Sequence, residues 1–239
     1  MNHTNKFFGL VLGLAFMLIL SASSALAADV TVKLTEADGT TLLTGGKLKY
    51  YDGGWNTATN NGDGTFTASV SGTNIKYKMY YNNGIQYKTV SSSVDPVIFK
   101  TVATDVNLED DGGGTLSGGK FKFYSNGWSS KKNANTTLNL LPGTYKFKMY
   151  YNNGIQYQSN VAINAANDEV TFTTVAVTVE LIEKGTTNQL NGKFKFYSHG
   201  WSSKKNANTT LNLLPGTYKF KMYYNNGIEY KSGVAIAHP

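Results

Sequence analysis

The sequence predicts an all-β chain of tandem small Ig-like or prealbumin-like β-sandwiches, and three observations predict it. Lys120–Tyr157 (KFKFYSNGWSSKKNANTTLNLLPGTYKFKMYYNNGIQY) recurs at Lys193–Tyr230 with only Asn126 replaced by His199 and Gln156 by Glu229. A diverged copy runs from Lys47 to Tyr87, and a fixed period means a row of like units. Every periodic segment alternates apolar and polar residues, with no 3.6-residue helical stripe.

The first 27 residues read as a secretory signal peptide. Lys6 gives a positive start, Phe7–Leu20 is apolar, and Ala25-Leu26-Ala27 is a small-x-small cleavage site. No later segment is apolar enough to span a bilayer. With no cysteine in the chain, neither a lipid attachment nor a disulfide framework is expected. Three repeats follow, at 28–101, 102–174 and 175–239, each with six or seven expected strands. The chain is expected outside the cytoplasm: secreted, on the cell surface, or periplasmic.

In the second repeat Val106 and Leu108 alternate with Asp105 and Asn107, and Phe121 and Phe123 with Lys120, Lys122 and Tyr124. Leu138 and Leu140 alternate with Thr137 and Asn139. Tyr145, Phe147, Met149 and Tyr151 alternate with Lys146, Lys148 and Tyr150. Aromatic and aliphatic side chains form the inward set, lysine and tyrosine the outward one. Leu141-Pro142-Gly143 and Gly127 mark turns. Asn152-Asn153-Gly154 suits a three-residue hairpin loop with Gly154 left-handed. That register places Tyr151, Ile155 and Tyr157 on the core face and Gln156 outside.

Val170–Glu183 contains no Gly, Pro or Asn, so the last strand of one repeat is expected to run into the first strand of the next, as in a stiff rod. Val94–Thr101 and Val170–Thr174 supply closing strands for the first two repeats. The third has no counterpart before Pro239, which predicts an open edge able to recruit a strand, including by self-association.

Thr137–Tyr145 (TLNLLPGTY) resembles the threonine, strand, leucine-proline-glycine-x-tyrosine signature of the CnaB and carboxypeptidase-regulatory-like β-sandwiches. These prealbumin-like modules are common in exported bacterial surface proteins. The resemblance covers repeats two and three. The first departs from it, with Ser71-Gly72-Thr73-Asn74 in place of the turn. It implies stalks, spacers and adhesin parts and names no activity. The internal isopeptide bond of some CnaB domains is not carried over, because its first-strand lysine position reads Lys33, Asn107 and Glu180 in the three repeats.

All 22 basic residues are lysine, and 21 remain against 15 acids once Lys6 is cleaved away. Without arginine there is no bidentate reader of bases or phosphates, so nucleic acid is not an expected partner. The candidate ligand-binding face is Lys120, Lys122, Tyr124, Lys146, Lys148 and Tyr150. It recurs as Lys193, Lys195, Tyr197, Lys219, Lys221 and Tyr223, and the first repeat keeps Lys47, Lys49, Tyr51, Lys76, Lys78 and Tyr80. Lysines facing one another across strands repel unless an anion joins them, which points to an acidic glycan or cell-wall polymer. A plain solvated strand face is the competing reading.

Trp55, Trp128 and Trp201 each follow glycine. Each can stack on a sugar ring or cap an open end of its own sandwich. Glu109-Asp110-Asp111 lacks a cation-ligand ladder and becomes Glu183-Lys184 in the third repeat, so no metal is expected. Only His199 and His238 remain in the mature chain, without a nucleophile–base pair, a carboxylate pair or a phosphate loop. The chain is expected to be neither an enzyme nor a cofactor carrier.

Overall fold

The computed structural model describes residues 27–165 and 168–238. The signal peptide therefore falls, but for Ala27, outside the described residues, which contain strands, turns and bends and no helix. The all-β expectation holds.

The first repeat contributes β1 (Ala28–Thr35), β2 (Lys47–Tyr51), β3 (Trp55–Thr57), β4 (Thr59–Asn60), β5 (Thr65–Val70), β6 (Asn74–Tyr81), β7 (Gly84–Ser91) and β8 (Val97–Lys100). They form two sheets, β4-β5-β1-β8 and β3-β2-β6-β7. The second contributes β9 (Val102–Glu109), β10 (Lys120–Tyr124), β11 (Lys132–Asn133), β12 (Thr136–Leu140), β13 (Gly143–Tyr151), β14 (Gly154–Ile163) and β15 (Glu169–Thr173). Its sheets are β12-β9-β15 and β11-β10-β13-β14. The third contributes β16 (Val175–Val179), β17 (Lys193–Tyr197), β18 (Lys205–Asn206), β19 (Thr209–Leu213), β20 (Gly216–Tyr224) and β21 (Gly227–Ile236). These pair as β16-β19 and β18-β17-β20-β21.

Alternation decides which side chains enter the cores. Phe121, Phe123, Phe147 and Met149 are fully buried between the sheets, while Lys122 and Lys148 stand on the outer face. Phe123 meets Tyr145 edge-on at 6.2 Å, an arrangement favoured by the ring quadrupoles. The first strand of each of the first two repeats pairs antiparallel on one side and parallel on the other. β1 thus lies between β5 and β8, and β9 between β12 and β15.

The hairpin register differs from the expected one. Tyr151 pairs with Gly154, so the loop is the two residues Asn152 and Asn153, both left-handed at φ 42° and 59°. Two successive positive φ values make the tight turn whose twist matches the strands. Asparagine supplies both, and Gly154 is not needed for that purpose. One residue fewer in the loop reverses every side chain after it. Gln156 therefore pairs with Met149 and points inward, and its Oε1 is buried without a hydrogen-bond partner among the described residues. Tyr157 is half exposed, on the lysine side.

Gly154 has another role, and Gly84 shares it. A Cβ at Gly84 would collide with the Tyr145 hydroxyl of the next repeat, and one at Gly154 with that of Tyr218. These hydroxyls donate to the carbonyls of Leu141 (2.7 Å) and Leu214 (2.8 Å). The leucine-proline-glycine turn thereby projects its leucine backward, and Leu141 and Leu214 are fully buried in the preceding repeat's hydrophobic cluster. Asn82 Nδ2 donates to the Asn139 carbonyl and Asn152 Nδ2 to that of Asn212 across the same junctions. Only Thr101 separates β8 from β9, and only Thr174 separates β15 from β16. The junctions are packed interfaces instead of linkers.

Asn135, the first residue of an Asn-Thr-Thr stretch, has a structural role. Its Oδ1 accepts from the Leu108 N–H and its Nδ2 donates to the Leu116 carbonyl, tying a loop to β9. Asn208 bridges Leu181 and Leu190 in the same way.

Leu141→Ala should lower stability by about 3 kcal/mol, since it empties a site in another repeat's core. Tyr145→Phe should cost about 1 kcal/mol for its lost hydrogen bond, whereas Tyr77→Phe, whose buried hydroxyl has no partner among the described residues, should cost nothing or stabilise. Denaturant titration of each variant measures the three values.

Burial pushes the phenols of Tyr77 and Tyr218 up to about 12 from an ordinary value of 10.0, and burial raises Tyr145 as well. A folded value above the unfolded one gives stability that is complete below the unfolded value and lost as pH rises through the folded one. The contribution of these tyrosines to the unfolding free energy should therefore be constant from neutral pH to about pH 10 and fall between about pH 10 and pH 12, as urea titrations across that range would show.

Candidate ligand-binding face

The outer face of the β10–β13–β14 sheet carries the predicted lysines and tyrosines. Cross-strand pairing sets Lys120 opposite Tyr150, Lys122 opposite Lys148, and Tyr124 opposite Lys146. The first repeat repeats the lattice with Lys47 and Tyr80, Lys49 and Lys78, and Tyr51 and Lys76. The third does so with Lys193 and Tyr223, Lys195 and Lys221, and Tyr197 and Lys219. Every repeat thus sets two ammonium groups directly opposite one another. Among the described residues no carboxylate pairs with any of them.

Tyrosine rings separate the charges. The Lys148 ammonium lies 4.8 Å from the Tyr150 ring centroid and 5.0 Å from that of Tyr157. Lys146 approaches Tyr157 at 4.8 Å, and Lys131 covers Tyr150 at 4.3 Å. Lys204 and Lys221 flank Tyr223 at 4.4 and 4.9 Å. Each ring face attracts a cation. Tyr157 foremost, and then Tyr150, hold the Lys148 ammonium above its ordinary value, as Tyr230 does for Lys221 and Tyr80 for Lys78. The face therefore stays cationic.

The tryptophans join this face. Trp128 bridges back to Tyr124, and the two rings meet at a tilt of 56° with centroids 5.4 Å apart. Trp201 and Tyr197 repeat that distance, and Trp55 meets Tyr51 at 5.7 Å. All three indoles are nearly half exposed and none belongs to a hydrophobic cluster. Each indole rests against a tyrosine ring.

Three equivalent clefts open at the asparagine hairpins, and the sequence alone did not reveal them. One of about 530 Å³ is lined by Lys47, Tyr80, Asn82, Asn83 and Asn126. The second, about 400 Å³, is lined by Lys120, Lys131, Tyr150, Asn153 and His199. The third, about 640 Å³, is lined by Lys193, Lys204, Tyr223, Asn225 and Asn226. The next repeat helps wall the first two, where the Asn126 N–H donates to the Asn83 carbonyl at 2.9 Å and the His199 N–H to that of Asn153 at 3.1 Å. The threefold Asn-Asn-Gly was the visible signal. The position of the first two clefts at a junction was not visible.

Asp110 of the acidic stretch is occupied by its own loop, accepting from the Gly112 and Gly114 N–H groups. No group of three or more potential metal-ligating side chains occurs among the described residues.

No family model matches the sequence, and no curated protein sequence matches it. Among solved structures the chain is similar to the Bacillus anthracis TIE protein at 12% identity and TM-score 0.29, covering 88% of this chain and 49% of that one. It is similar to a streptococcal ancillary pilin at 13% identity and TM-score 0.23, covering 89% and 96% of the two chains. For the pilus adhesin SpaC of Lactobacillus rhamnosus GG the identity is 12% and the TM-score 0.23, covering 88% and 40%. This chain therefore spans about half the TIE protein chain and less of SpaC. Superpositions this loose carry no argument about fold or function.

Lys122→Glu would set a carboxylate opposite Lys148 and disturb none of the ring contacts. It should raise stability at low salt by up to about 1 kcal/mol, the size of an exposed cross-strand pair. A loss of stability in thermal melts would show that the facing lysines do not strain the sheet.

Proposed function

We propose that this chain is a non-enzymatic exported repeat protein with a structural or adhesive role at the cell surface or in the extracellular matrix. Its repeats are read as prealbumin-like sandwiches of the CnaB and carboxypeptidase-regulatory-like kind, on the strength of the TLNLLPGTY resemblance. The observation that carries the reading is repetition of one outward face. The lysine–tyrosine lattice and its hairpin cleft occur three times, and the diverged first copy keeps them where it has lost the leucine-proline-glycine turn. Several weak contacts borne on one chain combine into strong attachment when the partner is itself repetitive.

A second reading is favoured by the unneutralised lysine pairs. The face is a binding surface for an extracellular glycan or an anionic cell-wall polymer, with the half-exposed indoles stacking on sugar rings. The two readings meet if the polymer is what the adhesive protein grips.

Fractionation of cells and medium with an antibody should find the chain outside the cytoplasm, and a cytoplasmic pool would overturn the first reading. Titration with sulfated or phosphate-bearing glycans should quench tryptophan fluorescence, with binding that weakens steeply toward about 0.5 M salt as the charges are screened. Binding indifferent to salt, or undiminished in Lys148→Gln/Lys221→Gln, would rule out the electrostatic face.

A further inference from the structure

The near-identical stretches of the second and third repeats differ at two positions, and one of them, Asn126 against His199, lands in a cleft. Asn126 walls the cleft between the first two repeats, and His199 walls the one between the second and third. The backbone role of the position is the same in both. Its N–H donates to a hairpin asparagine carbonyl, that of Asn83 at 2.9 Å or of Asn153 at 3.1 Å. Both side chains are exposed. What changes is the chemistry of the cleft wall.

The charge of the two clefts differs as well. Among the described residues Lys47 is the one basic residue lining the first. The second, of about 400 Å³, is lined by Lys120, Lys131 and His199, and by no aspartate or glutamate. Tyr150 gathers these lysines. It stands opposite Lys120 in the β10–β13 register, and Lys131 lies over its ring at 4.3 Å. Lys148 approaches the same ring at 4.8 Å. A ring that draws cations holds ammonium groups near one another without neutralising them. The Ser198 hydroxyl lies 3.1 Å from His199 Nδ1, which leaves Nε2 as the nitrogen available to a ligand. A concave wall of one sign concentrates counter-ions.

We propose that the cleft between the second and third repeats binds a sulfate or phosphate ester group of an extracellular polymer, held by Lys120, Lys131 and protonated His199. The proposal rests on the reading of this chain as a binder of anionic polymers, and it names the group recognised and the place. Ammonium and imidazolium both give charge-assisted hydrogen bonds to such oxygens. A carboxylate offers two oxygens in one plane. A sulfate or phosphate ester presents its oxygens tetrahedrally, which suits three donors converging from two repeats. Histidine changes charge between about pH 5 and 8, where lysine and tyrosine ordinarily do not titrate. The other titratable groups lining the cleft are Lys120 of β10, Lys131 ahead of β11, and Tyr150 and Tyr151 of β13. The imidazolium favours the anion, so binding is strongest at the acid end and weakens as the ring loses its proton.

The test uses the full secreted chain and two probes whose charge is fixed across that range, a sulfated oligosaccharide and an oligomer of glycerol phosphodiester. Ring resonances of His199, assigned by their absence from His199→Asn, should move on titration with either probe at about pH 5.5. Affinity should fall about two- to fivefold by about pH 8, the range of one exposed charge pair. His199→Asn places there the residue that the second repeat carries at Asn126 and should flatten the pH profile. Lys131→Gln should weaken binding at every pH. The tighter of the two probes identifies the preferred ester. Salt-sensitive binding with a flat pH profile and unmoved His199 resonances would overturn the cleft site while leaving the outer lysine face standing. Binding of neither probe would overturn both.

Discussion

The parallel contact between a repeat's first strand and its closing strand governs the rest of this architecture. It brings Val97 and Phe99, or Val170 and Phe172, into the core between the sheets. A small sandwich without metal or disulfide has little core to spare, so two such side chains are a large share of what can be buried. The same strand continues after a single threonine into the next repeat, which makes closure of one core and placement of the next a single event.

The junction adds a reciprocal contact. A leucine from the following repeat's turn enters the preceding core, while the preceding hairpin lies against the following repeat's tyrosine through a glycine that admits no side chain. The first two cores therefore depend on residues that the sequence assigns to the following repeat. Stability in such arrays sums over interfaces as well as units, and the interface share is large here because the leucines are fully buried.

The outer face runs counter to stability. Lysines placed opposite one another repel, and tyrosine rings reduce that cost without neutralising the charge. The alternation that buries phenylalanine leaves these side chains outside, so the core pattern and the candidate site are two sides of the same strands. That coupling made the face legible from the sequence. The clefts were not legible, because their walls come from hairpins and from Asn126 or His199 of the next repeat.

By itself the sequence determined the all-β class, the inward and outward sets on most strands and the short junctions. Each follows from period-two alternation or from a turn residue, and both are local. Tertiary structure decided the rest. One residue fewer in the asparagine loop turned Gln156 inward and Tyr157 outward, because side chains on a strand have no third direction to take. Packing sent Leu141 and Leu214 into cores that precede them. It also gave two copies of GTYKFKMYY different degrees of burial, since burial depends on what lies across a groove and not on the residues that line it.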